Sequence, residues 1–120
     1  MLTTEIKQQI KEHALKFKEF EVCGLIYQNL LDNNIKIYPC SNTSYEKEHN
    51  FSISPAEYLL IIQIGKILAS YHSQLENNKF SDVDKRNSYH HNLIYIMYCI
   101  KEDSFHIFEP KDYKNPYINY

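Results

Sequence analysis

Between residues 67 and 84 the chain reads ILASYHSQLENNKFSDVD. An apolar segment ends on His72, a polar loop follows, and Ser81 and Asp84 close the stretch with Ser-x-x-Asp spacing. This layout suits metal-assisted hydrolysis. A catalytic zinc site needs a few protein ligands, usually three, and an open position for water. It also needs a base for that water's proton and a donor for the oxyanion. His72 at a strand end and Asp84 in a first helical turn are two candidate ligands. Position 74, two residues beyond His72, can converge on the same ion once the chain leaves the sheet, and it holds Gln74. Ser81 at a helix N-terminus can aim its hydroxyl at a substrate carbonyl. The base must come from elsewhere, and Glu21, just before the apolar run 22–27, is the candidate.

These residues need elements to hold them. Ile6, Ile10, Ala14 and Leu15 recur at helical spacing and predict an amphipathic helix over 4–18, started by Thr3 or Thr4. VCGLIY (22–27) reads as a buried strand, with IKIYPC (35–40) its hairpin partner across LLDNN. SPAEYLLIIQIG predicts a second helix, with Ser54 as N-cap, Pro55 at the first helical position, Glu57 completing a capping box and Gly65 as terminator. KILASYH (66–72) reads as a strand ending at His72, SDVDKRNSYHH as a third helix from Ser81, and LIYIMYCI and FHIFEP as paired strands. The predicted order is α-β-β-α-β-α-β-β over residues 1–120, a single α/β domain with a mixed β-sheet flanked by helices.

With those elements in place, the residues resemble the JAMM metalloprotease-like family, also called MPN or JAB domains. FEVCGLIY is similar to the family's Glu-led "CGLI" strand, and YHSQLENNKFSDVD to its His-x-His-x7-Ser-x2-Asp motif. The segment between them, IYPCSNTSYEKEHNFSISPAEYL, resembles the family's Asn-bearing loop leading into a capped helix. The likeness covers nearly the whole chain. It implies Glu21 as general base and acid, His72 and Asp84 as zinc ligands, and Ser81 as transition-state donor. The reaction implied is hydrolysis of peptide or isopeptide bonds, often beside ubiquitin-like tails. Short microbial and phage members include tail-assembly proteins, so a protein assembly partner is the alternative to a peptide or ubiquitin-like substrate. Two positions depart from the pattern. Gln74 stands where the motif has its second histidine, and six residues separate it from Ser81 in place of seven. A loop absorbs the deletion. The glutamine is the larger change, because an amide oxygen is a weaker zinc ligand than imidazole. The expectation is a modified metal site, with a catalytically inactive binding or assembly domain as the second reading.

Plainer roles exist for each residue. Ser81 and Asp84 also satisfy the logic of a helix cap. His72 also reads as a satisfied polar residue, Glu21 as a solvated loop acid, and Cys23 as a small core residue. His90 and His91 suit an exposed helix end, with His91 about 10 Å along the helix from Asp84 at ~1.5 Å per residue. His49 falls in a loop. Net charge is −2 with no basic run, which argues against nucleic-acid binding. Apolar runs such as YLLII are too short to span a bilayer, and MLTTEIKQQIKEH is polar where a signal peptide needs an apolar stretch. Cys23, Cys40 and Cys99 lack Cys-x-x-Cys spacing and read as reduced thiols half-buried in strands, so a cytoplasmic protein is expected, or a virion component if the source is a phage. The Tyr-rich tail YKNPYINY reads as a docking segment or a partly ordered end.

Overall fold

The computed structural model describes residues 1–118. Three helices, α1 (Thr4–Lys16), α2 (Pro55–Ile64) and α3 (Asp82–His91), flank five strands. The strands are β1 (Cys23–Asn29), β2 (Ile35–Cys40), β3 (Gly65–Gln74), β4 (Ile94–Cys99) and β5 (Ser104–Phe108). A 3-10 turn, Pro110–Asp112, follows β5. The element order is the one read from the sequence, and the domain is α/β. The strands form one mixed sheet in the order β2-β1-β3-β4-β5. Only β3 and β4 run parallel, as the α3 crossover between them requires.

Each face of the sheet carries its own core. Ile6, Ile10 and Ala14 of α1 recur every four residues and pack on Val22, Ile26, Ala69, Tyr71, Ile96 and Tyr98. The other face gathers Cys23, Leu25, Tyr27, Cys40, Ile53 and Ile61 beneath α2. Each such aliphatic chain, fully buried, contributes about 1.5–3 kcal/mol. The alternation has one break. Ile26 lies opposite Ala69 but Tyr27 lies opposite Ile67, so Leu68 is an extra residue and β3 is bulged there. The bulge lets Ile67 face the α2 side while Ala69 and Tyr71, further on, face α1. His72 therefore points to the α2 side, level with Cys23.

Several local expectations change in detail. Thr3 caps α1, its hydroxyl accepting from Ile6 N–H at 3.2 Å. Ser81 caps α3 in a complete capping box with Asp84. Ser54 does cap α2, but its hydroxyl accepts from Ala56 N–H at 3.2 Å and no capping box closes. Glu57 turns inward instead, toward Cys40, and leaves Oε2 buried without a partner. The strand read as ending at His72 runs on to Gln74, which pairs with Cys99. Positions 72 and 74 are thus held side by side within the sheet and do not converge by leaving it. The three cysteines are buried outright, not half-buried, and all are free thiols. No helix among the described residues is long and apolar enough to cross a membrane. In the tail, Tyr113 packs against Tyr89 with centroids 5.1 Å apart, while positions 119 and 120 lie outside the described residues.

Tyr71 ties the α1 face together. It is fully buried, and its hydroxyl lies 2.7 Å from His13 Nδ1 on α1. The ring occupies the space left by Gly24 directly across the β1–β3 pair, where an added Cβ would overlap Tyr71 Cε1 and Cζ. Gly24→Ala must displace that ring. Overpacking of this kind costs about 1–3 kcal/mol, and the expected fall in melting temperature is about 5–15 °C. A calorimetric scan of the variant checks this, and an unchanged transition would show that Tyr71 moves aside freely.

Candidate metal-hydrolase site

β3 presents His72 and Gln74 on the face away from α1, and α3 begins above them. Continuing the β1–β3 register past Cys23↔His72 brings Glu21 level with Gln74. The extension is real, because Ser73 N–H donates to Val22 C=O at 3.0 Å and Val22 N–H donates to Ser73 Oγ at 2.9 Å. The side chains of Glu21, His72 and Gln74 consequently share one face.

His72 is the centre of the arrangement. It is 0% exposed, and neither Nδ1 nor Nε2 has a hydrogen-bond partner. Phe51 stacks on its ring at 4.4 Å and 18°, and Phe80 meets it edge-on at 5.9 Å. Its nearest charge is Asp84, whose Oδ2 lies 3.7 Å from Nε2. That separation is too long for a hydrogen bond. Burial holds the imidazole's pKa down to about 4, against the opposing pull of Asp84. A buried imidazole with two unpaired nitrogens is costly for a core residue, so the reading of His72 as a satisfied polar side chain does not hold.

Asp84 and Ser81 form the helix cap that their spacing predicts. Asp84 Oδ2 accepts from Ser81 N–H at 3.2 Å, and Ser81 Oγ accepts from Asp84 N–H at 3.0 Å. The cap thereby fixes the carboxylate over His72 and leaves the Ser81 hydroxyl proton available for donation. Glu21 is only 5% exposed and is not the solvated loop acid its position suggested. Burial first, then the charge of Asp84, raises its pKa to about 8. Its backbone is clamped by the loop that follows β2: Glu21 N–H donates to Lys47 C=O, and Glu21 C=O accepts from Asn42 Nδ2, both at 2.8 Å.

Asn42 organises that loop. Besides Glu21 C=O, its Nδ2 donates to Asn50 C=O, while its Oδ1 accepts from the N–H groups of Ser44 and Ser52. The same loop delivers Phe51 onto His72. Sequence reasoning noted an Asn-bearing loop but missed this four-bond hub and both phenylalanine contacts. The Asn and Ser content of 41–52 signals such side-chain-to-backbone bonding, whereas nothing local marks Phe51 as a partner of His72.

No hydrogen bond or ion pair joins His49, His90 or His91 to His72 or Asp84 among the described residues. His91, at the far end of α3, meets the Tyr58 ring at 6.4 Å. His90 lines a cleft with Tyr89 and Tyr113, and His49 lines a small cavity of ≈ 180 Å³ beside Glu21 and Ser73. Cys23 is inert as a nucleophile, since burial, with Glu57 and Glu21 nearby, pushes its thiol up to about 12.

The donor geometry can be compared with a divalent cation's needs. Two ligand atoms each about 2.0–2.2 Å from a tetrahedral ion stand roughly 3.4 Å apart. His72 Nε2 and Asp84 Oδ2, at 3.7 Å, are close to that spacing. Among the described residues no three His, Cys, Asp or Glu side chains form a group that could hold a metal ion. The spacing of His72 and Asp84 fits two ligands of one divalent cation, and Gln74 lies on the same face of β3. Comparison of the chain with models of protein families gives no match, and comparison with curated proteins gives none either.

Glu21 and His72, shifted in opposite directions, give the protein a defined pH response. Glu21, raised from 4.5 to about 8, contributes stability that is complete below pH 4.5 and is lost as pH rises toward about 8. His72, lowered from 6.5 to about 4, contributes stability that is present above pH 6.5 and lost as pH falls toward 4. The two oppose each other below 6.5, and only Glu21 acts above it. The melting temperature is expected to fall between pH 6.5 and 8, and Glu21→Gln should flatten that fall. A wild-type profile already flat across this interval would contradict the buried, protonated Glu21.

Proposed function

We propose that the chain is a JAMM-type metal-dependent peptidase or isopeptidase with a modified metal site. One observation carries this reading. His72 is wholly buried, has no hydrogen bond at either nitrogen, and faces Asp84 across 3.7 Å. Two ligands already placed for a cation account for that cost better than a core packing role does. His72, Asp84 and, weakly, Gln74 would hold zinc, which when bound activates water and polarises the carbonyl of a peptide or isopeptide bond.

The chain's own groups supply the rest. Glu21, in its ionised form, takes a proton at its carboxylate and returns it to the leaving amine. Ser81 Oγ–H donates to the carbonyl oxygen as negative charge develops there, its oxygen steadied by Asp84 N–H. The capping box keeps Asp84 from following the substrate. On the family likeness, the substrate is a peptide or a ubiquitin-like tail. Three buried free thiols suit a reducing compartment, so the same reading places the protein in the cytoplasm, or in a virion for a phage source.

A second reading keeps the fold but not the chemistry, as a binding or assembly domain such as a tail-assembly component. Gln74 favours it, because an amide oxygen in place of an imidazole weakens the hold on a metal. Metal content and zinc-dependent melting separate the two. The peptidase reading expects about one zinc per chain, lost in His72→Ala, with peptide or isopeptide cleavage abolished in Glu21→Gln. Should the wild type stay empty while Gln74→His takes up zinc, the pocket is a shell and the assembly reading replaces the enzyme.

A further inference from the structure

Helix α3 turns a full-length stripe of charged and aromatic side chains toward a cleft. Asp82, Lys85, Arg86, Tyr89 and His90 all line it. Their spacing, i, i+3, i+4, i+7 and i+8, is that of a helix face which ordinarily packs against a core. Here only Ser88, off that stripe, is buried. Across the cleft stand Phe108 at the end of β5 and the segment 112–117. The volume is ≈ 520 Å³, within the ~300–1,000 Å³ usual for ligand sites. The walls are aromatic: the Tyr89 and Tyr113 rings lie 5.1 Å apart, and Lys85 Nζ sits 6.0 Å from the Phe108 ring. Phe108 also joins the cleft to the candidate metal site, because the Phe80 ring meets both Phe108 and His72 at 5.9 Å. Arg86 is exposed and is the only arginine of the chain. No ion pair engages Lys85 or Arg86 among the described residues.

We propose that this cleft binds an extended acidic segment of the substrate, with a carboxylate on Arg86 and Lys85 and an aromatic side chain against Tyr89 and Tyr113. The planar guanidinium fork meets a carboxylate in two hydrogen bonds, a match an ammonium lacks. Asp82 and Asp112 line the same cleft, so its positive excess is small. That balance suits a single carboxylate over a polyphosphate. A phosphate site also draws on free backbone N–H groups at a helix N-terminus, and here Asp84 N–H is already bound to Ser81 Oγ. That the segment belongs to a substrate rests on the proposed role of Ser81, which also sets the spacing. Arg86 lies about 7.5 Å along the helix from Ser81, and Tyr89 about 12 Å, at ~1.5 Å per residue. An extended peptide advances about 3.3 Å per residue. The acidic residue therefore falls about two positions from the scissile carbonyl and the aromatic one about four.

Fluorescence anisotropy of the full chain with a labelled dodecapeptide tests this. The peptide carries a glutamate and, two positions beyond it, a tyrosine; its control has lysine in place of the glutamate. The acidic peptide should bind about 10-fold more tightly than the control or better. Arg86→Glu should weaken that binding about 10-fold or more, and Arg86→Lys about 3-fold, with the circular dichroism spectrum unchanged. Equal affinity for both peptides, indifference to Arg86→Glu, no binding up to about 1 mM, or tighter binding of ATP than of the peptide would each overturn the proposal. Binding needs neither zinc nor turnover, so the two readings fail separately. Acidic-peptide binding by a chain that takes up no zinc would remove the peptidase and keep the cleft, whereas peptide cleavage without an acidic preference would do the reverse.

Discussion

The site depends on the antiparallel pairing of β1 with β3 in the register that sets Cys23 opposite His72. Side chains alternate across a sheet, so a slip of one residue would send His72 to the α1 face and Glu21 away from Asp84. Three features pin the register. The bulge at Leu68 sets the phase of the second half of β3. The Ser73–Val22 bonds extend the ladder beyond its formal end. The fit of Tyr71 over Gly24 locks the opposite face, because only a residue without a Cβ leaves room for the ring. The packing of one face of the sheet therefore fixes the placement of the side chains on the other.

On that frame, burial and electrostatics act together. Burial, and after it the nearby charge of Asp84, disfavours the ionised form of Glu21 and raises its proton affinity. Burying His72 keeps its ring neutral, the form in which imidazole ligates a metal. The Asn42 hub contributes to that burial, since it fastens the 41–52 loop to the Glu21 backbone and that loop carries Phe51 onto the His72 ring. The capping box of α3 gives Asp84 a fixed position that its own side-chain freedom would not. Gln74, on the same face, is held in the ladder by its pairing with Cys99.

Much of this was legible in the sequence because it is local. The four-residue spacing of Ile6, Ile10 and Ala14 identifies α1, and Ser81 with Asp84 identifies the start of α3 by the bonds they make to each other. Glu21, His72, Ser81 and Asp84 could be singled out by type and order alone. What escaped the sequence depends on distant parts of the chain. The burial of Glu21 comes from the β2–α2 loop folding back over it, and the stacking of Phe51 on His72 joins residues that no periodicity connects. Glu57 shows the limit of local rules: its spacing from Ser54 suits a capping box, yet the core beneath α2 draws the carboxyl inward. The end of β3 was misplaced for a similar reason, since Gln74 stays in the strand through its pairing with Cys99.

The central claim is that His72 is a neutral, unpartnered imidazole held ready beside Asp84. Nitrogen-15 spectra of histidine-labelled protein, recorded from pH 4 to 8 with and without zinc, address it directly. The account predicts that the His72 ring stays neutral well below the usual 6.5, down to about 4, and that added zinc shifts one ring nitrogen. In His72→Ala the corresponding signals should vanish and the others persist. A His72 that titrates near 6.5 and does not respond to zinc would contradict the account, leaving the residue as an ordinary side chain in an ordinary core.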